Sequence, residues 1–361
     1  MLVHICCSVD SHFFLQKLQA EYPDEPLTGF FYDPNIHPYG EYQLRLLDVK
    51  RSCAKLGIPL IEGEYDFQTW LELVRGLENE PEKGSRCEVC FDRRFEVSAH
   101  KALELGEKKI TTTLLVSPLK SQEQLKCVGD AFYASHGVEF VAVDYRKKGG
   151  TQLQWSVAKE EQLYRQDYCG CLYGLSMQRE HQHRLMDEMF SPLDGRTLPA
   201  SIEERLALYT QRMAYEEQGI AYAIVKERFV NYRLLSANLW VDGVWQWVHV
   251  LPYSILPKGH TQSKLEHLID GVGYLERDEV RIIDRATYNR WASAHYPSIR
   301  SMLFSPPDFD VEVTLRSHID ATRGESPIIV VESMPEKGAH IALKIDAKSY
   351  EDKRELIVAY V

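Results

Sequence analysis

The chain has 361 residues, 44% of them hydrophobic and 26% charged, with a formal net charge of −11. That is the profile of an ordinary soluble globular protein too long for one small core, and two domains are expected. No run approaches the ~20 apolar residues of a membrane helix. The acidity is spread over both halves, which excludes a basic arm that would bind nucleic acid indiscriminately through its phosphates.

The opening Leu2–Cys7 run is apolar but short, with no basic leader and no small-residue cleavage site. It reads as a strand rather than a signal peptide, so a reducing, cytoplasmic setting is expected. From there, β-rich runs at Leu2–Cys6, Leu27–Tyr32, Leu60–Glu64, Lys109–Leu114 and Val138–Val143 alternate with amphipathic patterns. The helical patterns are Ser11–Glu21, Glu41–Leu56, Phe67–Leu77, Phe91–Leu105, Gln122–Ser135 and Leu153–Arg165. Such alternation predicts βαβ crossovers. The expected fold is α/β, a Rossmann-like, mainly parallel sheet with helices on both faces, over residues 1–185. Ligands of such sheets sit beyond the carboxyl ends of the strands, where Cys6, Cys7 and the Thr111–Thr113 run fall.

A turn-rich linker follows over 186–199, containing Ser191-Pro192-Leu193-Asp194-Gly195. Ser201 and Glu204 have capping-box spacing and open a helix. Residues 200–361 then change texture. Ala221–Val225, Arg233–Val241, Val244–Val250, Ile328–Val331 and His340–Ile345 read as strands of a smaller α+β domain. In Val244–Val250, alternation puts Trp245, Trp247 and His249 on one face, either as a buried seam or as an RNA-stacking surface.

Six of the eight cysteines are clustered: Cys6-Cys7, the CxxC of Cys87 and Cys90, and the CxC of Cys169-Gly170-Cys171. In a reducing compartment such clusters point to metal or redox chemistry rather than structural disulfides. Cys6, Cys7, Cys87 and Cys90 supply four thiolates, enough for a zinc site or an iron–sulfur cluster. Adjacent cysteines are expected to suit a multi-iron core better than a single tetrahedral ion. Cys87 and Cys90 are placed just ahead of a helix, whose amino terminus favours thiolates. Cys169 and Cys171, with a permissive glycine between them, could shuttle between dithiol and disulfide or serve as further ligands. Asp10 is either the N-cap of a helix starting at Ser11, a metal ligand or a proton donor. Asp33, His37 and Tyr168 are further proton candidates. Cys53 and Cys127 are expected to be buried packing residues, and Arg93-Arg94 and Arg146-Lys147-Lys148 are short basic patches.

Taken in order, His4-Ile5-Cys6-Cys7, Phe31-Tyr32-Asp33-Pro34-Asn35-Ile36, Glu62-Gly63-Glu64-Tyr65, Arg86-Cys87-Glu88-Val89-Cys90, Thr111-Thr112-Thr113-Leu114 with Ser117-Pro118, and Tyr164-Arg165-Gln166-Asp167-Tyr168-Cys169-Gly170-Cys171 resemble the QueH family of epoxyqueuosine reductases. The resemblance covers about the first 180 residues. It implies reductive removal of the epoxide oxygen of epoxyqueuosine at the tRNA wobble position, giving queuosine, with electrons from an unidentified donor. It also implies a four-iron four-sulfur (4Fe-4S) cluster on Cys6, Cys7, Cys87 and Cys90, and a redox-active disulfide between Cys169 and Cys171. Many members have a third early cysteine where this chain has Asp10, which opens the possibility of an additional mononuclear iron bound partly by Asp10. Residues 200–361 fall outside the resemblance. Two rival readings remain: a zinc-dependent or ATP-using nucleotide-modifying enzyme, and a zinc- or iron-binding thiol redox sensor with a partner-binding second domain. The absence of GxxxxGK[ST] and GxGxxG loops weighs against nucleotide binding by those routes.

Overall fold

The computed structural model describes residues 1–117, 121–190, 192–320 and 324–360. Pro118 of the Ser117-Pro118 motif and Ser191 of the turn-rich linker lie outside the described residues. The chain divides into two compact units. One comprises Met1–Met189, Arg205–Ile224 and Ile357–Val361; the other comprises Phe190–Glu204 and Val225–Leu356.

The first unit is built on β1 (Leu2–Ile5), α1 (Ser8–Glu21), β2 (Thr28–Phe31), α2 (Tyr39–Leu56), β3 (Leu60–Glu62), α3 (Phe67–Leu73), α4 (Ser85–Glu104), β4 (Lys109–Thr112), α5 (Gln122–His136), β5 (Glu139–Phe140), α6 (Gly150–Glu160) and α7 (Leu172–His181). The five strands run in the order β3-β2-β1-β4-β5, and every neighbouring pair is parallel. Strand order reverses between β1 and β4, which makes their carboxyl ends the topological switch point where α/β sheets hold ligands. β1 and β2 are buried almost throughout, as expected of strands covered by helices on both sides. Helices flank the sheet in two groups, α1 with α2 and α6, and α4 with α5. Phe13, Phe14, Phe30, Phe31, Phe91 and Phe95 fill the core between helices and sheet, each full burial worth roughly 1.5–3 kcal/mol.

Helix α8 (Ile202–Glu217) contributes Arg212 and Glu216 to this first unit. Arg212 and Ser8 both donate to the buried carboxylate of Asp48 on α2, which also accepts from the Tyr164 amide at 2.8 Å. Arg51 grips Glu216 through two nitrogens. The spacing of Ser201 and Glu204 produces a variant of the expected box: Ser201 accepts from the Glu204 amide, but Glu204 accepts from Ala200 rather than from Ser201.

The second part of the chain forms β6 (Tyr222–Val241), β7 (Val244–Gln246), β8 (His249–Val250), β9 (His260–Ile269), β10 (Val272–Leu275), β11 (Arg281–Asp284), α9 (Arg285–Trp291), α10 (Ile299–Phe304), α11 (Phe309–Ile319), β12 (Ile328–Val331) and β13 (His340–Ala359). The strands join one mixed sheet ordered β7-β6-β13-β9-β10-β11-β12-β8. Among the described residues, no helix is long and apolar enough to cross a membrane.

Two local expectations are overturned. Val244–Val250 is not one strand, because the chain leaves the sheet between Gln246 and His249. Trp245 and Trp247 are therefore exposed (45% and 44%), whereas His249 is buried against Glu312. Trp245, Trp247 and His249 do not share a face. Ala221–Val225 and Arg233–Val241 merge into the single long β6, and His340–Ile345 extends to Ala359 as β13.

Candidate active site

Cys6 and Cys7 follow β1 directly, at the switch point. Helix α1 begins at Ser8 with Cys7 in the N-cap position and no side-chain cap. Asp10 therefore sits inside the first turn and is not the cap. Three spacings define the cluster: Cys6 Sγ lies 3.8 Å from Cys7 Sγ, 4.0 Å from Asp10 Oδ2 and 3.7 Å from Thr113 Oγ1. Among the described residues, Cys6, Cys7 and Asp10 form the one set of three or more His, Cys, Asp or Glu ligand atoms within 4.8 Å of each other. Two thiolates on one tetrahedral ion with bonds of about 2.3 Å lie about this far apart. Adjacency in sequence thus does not keep Cys6 and Cys7 from sharing an ion, contrary to the sequence expectation. A hydrogen bond with Cys6, burial and the charges of Asp10 and Cys6 push the Cys7 thiol well above its ordinary range. Gln154 of α6 donates to Asp10 Oδ1 at 2.8 Å and holds the carboxylate in place.

The neighbouring strand β4 supplies Thr111 and Thr112 and the turn after it supplies Thr113, all three fully buried. Thr111 donates to the Val141 carbonyl, Thr112 meets His4 Nδ1 at 2.9 Å, and Thr113 faces Cys6. His4 is locked between Thr112 and the Tyr32 carbonyl. Burial, helped by the charge of Arg94, pushes its pKa down to about 3 despite the Tyr32 contact, so the ring is neutral.

Cys87 and Cys90 lie within the first turns of α4, not ahead of it. The Lys83 amide donates to Cys87 Sγ at 3.2 Å. Cys90 is buried in an apolar cluster with Trp70, Val74 and Cys171, so the CxxC and the CxC meet there. Positions 87, 90 and 94 share one helical face, and Arg94 extends that face inward. Its guanidinium pairs with Asp33 at 3.2 Å and donates to Asn35. Burial works against its charge, but Cys90, Asp33, Cys169 and Cys6 outweigh it and hold the group cationic. One buried cation thus lies within electrostatic reach of all three cysteine clusters. Arg93-Arg94 is accordingly no surface patch: Arg94 is 4% exposed, and Arg93 pairs with Asp66 at 3.0 Å.

The loop after β2 completes the edge. Asp33 is fully buried, and burial pushes its carboxyl up to about 6 against the pull of Arg94 and Arg45. Among the described residues, neither Asp33 oxygen accepts a hydrogen bond, and buried Asn35 Nδ2, His37 Nδ1 and Trp70 Nε1 also have no partner. His37 stacks on Phe67 with ring centroids 4.3 Å apart, and burial lowers its pKa. The CxC loop is pinned beside it. His37 N donates to the Gly170 carbonyl at 2.9 Å, Tyr168 donates to the His37 carbonyl at 2.8 Å, and Arg45 donates to the Tyr168 and Cys169 carbonyls. Gly170 has φ +101°, and a Cβ there would lie 2.9 Å from Ile36 Cγ1, so only glycine fits between the two thiols. All eight cysteines are free thiols, Cys169 and Cys171 included. Burial and the Cys169 charge push Cys171 up to about 12. Cys53 is buried as expected, but Cys127 is exposed, because α5 turns Leu125 rather than Cys127 inward.

Gln154 was not singled out from the sequence, and Arg94 was read there only as part of a short basic patch. Arg94 was detectable from its four-residue spacing to Cys90; nothing in the sequence marks Gln154.

A doubly wound parallel sheet with Cys6 and Cys7 at its switch point, and with Cys90 and Cys171 meeting in one apolar cluster, has the fold of an α/β enzyme and the side chains for thiol or metal chemistry. The QueH family model, described as "Epoxyqueuosine reductase QueH", matches residues 1–177. The epoxyqueuosine reductase QueH of Helicobacter pylori is 38% identical over 95% of this chain and 97% of its own length. That of Acinetobacter baylyi is 41% identical over 48% of this chain and 80% of its own length. A solved U34-tRNA thiolase, NcsA from Methanococcus maripaludis with its [4Fe-4S] cluster, aligns with TM-score 0.32 and 14% identity, covering 60% of this chain and 73% of that one. The chain belongs to the QueH family of epoxyqueuosine reductases and is an oxidoreductase.

Proposed function

We propose that this chain removes the epoxide oxygen of epoxyqueuosine in tRNA to give queuosine, using a 4Fe-4S cluster held by Cys6, Cys7, Cys87 and Cys90. The supporting observation is the convergence of charges on Arg94, which links the Cys6, Cys90 and Cys169 segments although they are far apart in sequence. The donor set fits such a group in chemistry: four free thiols, two of them adjacent at the switch point. When bound, the cluster passes electrons singly. The 3.8 Å spacing of Cys6 and Cys7, with Asp10 beside them, also favours an additional iron on these three residues.

The remaining work falls to the chain. Opening an epoxide to an alkene consumes two electrons and two protons and releases water. Oxidation of Cys169 and Cys171 to a disulfide supplies both electrons and both protons, and an external electron donor then restores the dithiol. Arg45 and Gly170 fix the CxC loop, and the Arg94 cation acts electrostatically on Cys169. Burial pushes the Asp33 carboxyl up to about 6, which suits it to relay one of these two protons to the leaving oxygen. His37 Nδ1, Asn35 Nδ2 and Trp70 Nε1 are buried donors or acceptors suited to a polar ring substituent.

The test is anaerobic turnover of tRNA carrying epoxyqueuosine, read by nucleoside mass spectrometry. A loss of one oxygen mass from the modified nucleoside is expected. A reconstituted protein that leaves the epoxide intact in the presence of a low-potential donor overturns the reading. A zinc- or iron-based redox sensor is the second reading, favoured by the Cys6–Cys7–Asp10 spacing alone; a colourless zinc protein without turnover would support it.

A further inference from the structure

The second unit presents one exposed face whose chemistry differs from the rest of this acidic chain. Strands β9 and β13 pair antiparallel, with His340 opposite Lys264, Ala342 opposite Gln262 and Lys344 opposite His260. Directly opposed residues share a sheet face, so these six side chains stand together. Ile341 and Leu343 point the other way into the core, each about 1% exposed. The outward face forms an open groove of about 660 Å³. Three cations, Lys264, Lys344 and Arg277, line it together with two histidines, against one acidic residue, Glu276. None of the three cations has an ion-pair partner among the described residues.

Aromatic rings continue the same surface. Trp240 lines the groove, with Lys344 Nζ 5.8 Å from its ring centre. Trp245 stands directly across from Trp240 in the β6–β7 register. Trp247 meets Trp245 edge to face at 4.7 Å, and Arg300 lies over Trp247 at 6.0 Å. Two tryptophans close to half exposed are costly to leave in water. Their indole faces, beside unpaired cations, offer what unpaired bases on a phosphate chain require: a stacking platform and a backbone track.

We propose that this face is an RNA-binding surface, which grips the tRNA by its phosphates through Lys264, Lys344 and Arg277 and stacks an unpaired base on Trp245 and Trp247. The local excess of positive charge in a chain of net charge −11 is the complementarity that selects a polyanion over an acidic protein patch, which offers no bases to stack. The inference rests on tRNA being the substrate and adds a second point of attachment on residues outside the matched 1–177 segment.

The test uses the full chain and an unmodified tRNA transcript, with affinity measured by fluorescence anisotropy across a salt series. Trp245→Ala should weaken binding about tenfold or more, because stacking is lost, and Trp245→Phe should restore most of it. Lys264→Ala with Lys344→Ala should lower the slope of log K against log salt by about 1.5, two phosphate contacts' worth. Unchanged thermal melting and iron content in these variants show that the fold and the cysteine site are intact. Wild-type affinity and slope in both variants would overturn the proposal. So would unchanged tRNA binding with a loss of self-association on sedimentation, which would make the face a protein interface. Wild-type protein that binds tRNA through this face yet fails to reduce epoxyqueuosine would sink the proposed reaction and leave the surface standing.

Discussion

Replacing Arg94 by methionine tests the electrostatics of the site most sharply. The side chain is 4% exposed and its partner Asp33 is fully buried. Breaking a buried pair by removing one partner costs about 3–5 kcal/mol, because the other charge is left uncompensated. Asp33 offers an escape. Burial already raises its pKa to about 6, with Arg94 and Arg45 opposing that rise. With Arg94 gone, the carboxyl should keep its proton through pH 8. The sign follows from linkage: a carboxyl whose folded pKa is raised binds its proton more tightly folded than unfolded, so stability falls as pH rises through that window. The wild type completes its fall near pH 6, whereas the variant continues to lose about 1.4 kcal/mol per unit up to pH 8. Arg94→Met should therefore be destabilised at pH 8 by about 2–3 kcal/mol more than at pH 5. Urea unfolding followed by circular dichroism at the two pH values reads this difference. An equal penalty at pH 5 and pH 8 would refute the claim that Arg94 holds down the pKa of Asp33.

Other residues carry separable expectations. Gly170→Ala forces a side chain onto φ +101° and against Ile36, a strain of about 1–3 kcal/mol; thiol titration should find Cys169 and Cys171 more reactive than in the wild type. Asp48→Asn removes the charge facing buried Arg212 and should cost about 3–5 kcal/mol in urea unfolding, with α8 becoming the most exchange-labile helix of the first unit by hydrogen exchange. His4 has its folded pKa depressed to about 3, so the unfolded chain takes up the proton first and stability is lost as pH falls below about 6.5. His4→Gln should flatten the fall in urea stability between pH 6.5 and pH 4.

The parallel sheet was legible because buried strands such as Leu2–Ile5 and Thr28–Phe31 are short apolar runs separated by amphipathic helices. The helix starts were less so. Asp10 looked like a cap because Asp favours that position, yet the chain turns helical straight after Cys7 without any side-chain cap. Helix α7 went unseen since it opens at Cys171, a residue with no capping signature. The cysteines announced themselves by spacing, but Arg94 did not, because an Arg-Arg pair reads as surface unless its register against Cys90 is followed along α4. In the second half, β6 appeared as two strands. Its Val225–Arg228 stretch is exposed on both faces, so no alternation marks it as a strand. Trp245 and Trp247 were placed in a continuous strand that the chain in fact breaks before His249; large aromatics alone do not report exposure.

The central claim is that sulfurs from three distant segments act as one iron-bearing reductive site. The most direct measurement is the iron and acid-labile sulfide content of anaerobically purified wild type and Cys87→Ala, each assayed for epoxyqueuosine turnover. The account predicts about four irons per chain or more in the wild type, with loss of cluster and turnover together in the variant. A Cys87→Ala protein that reduces its substrate at the wild-type rate without iron would contradict it.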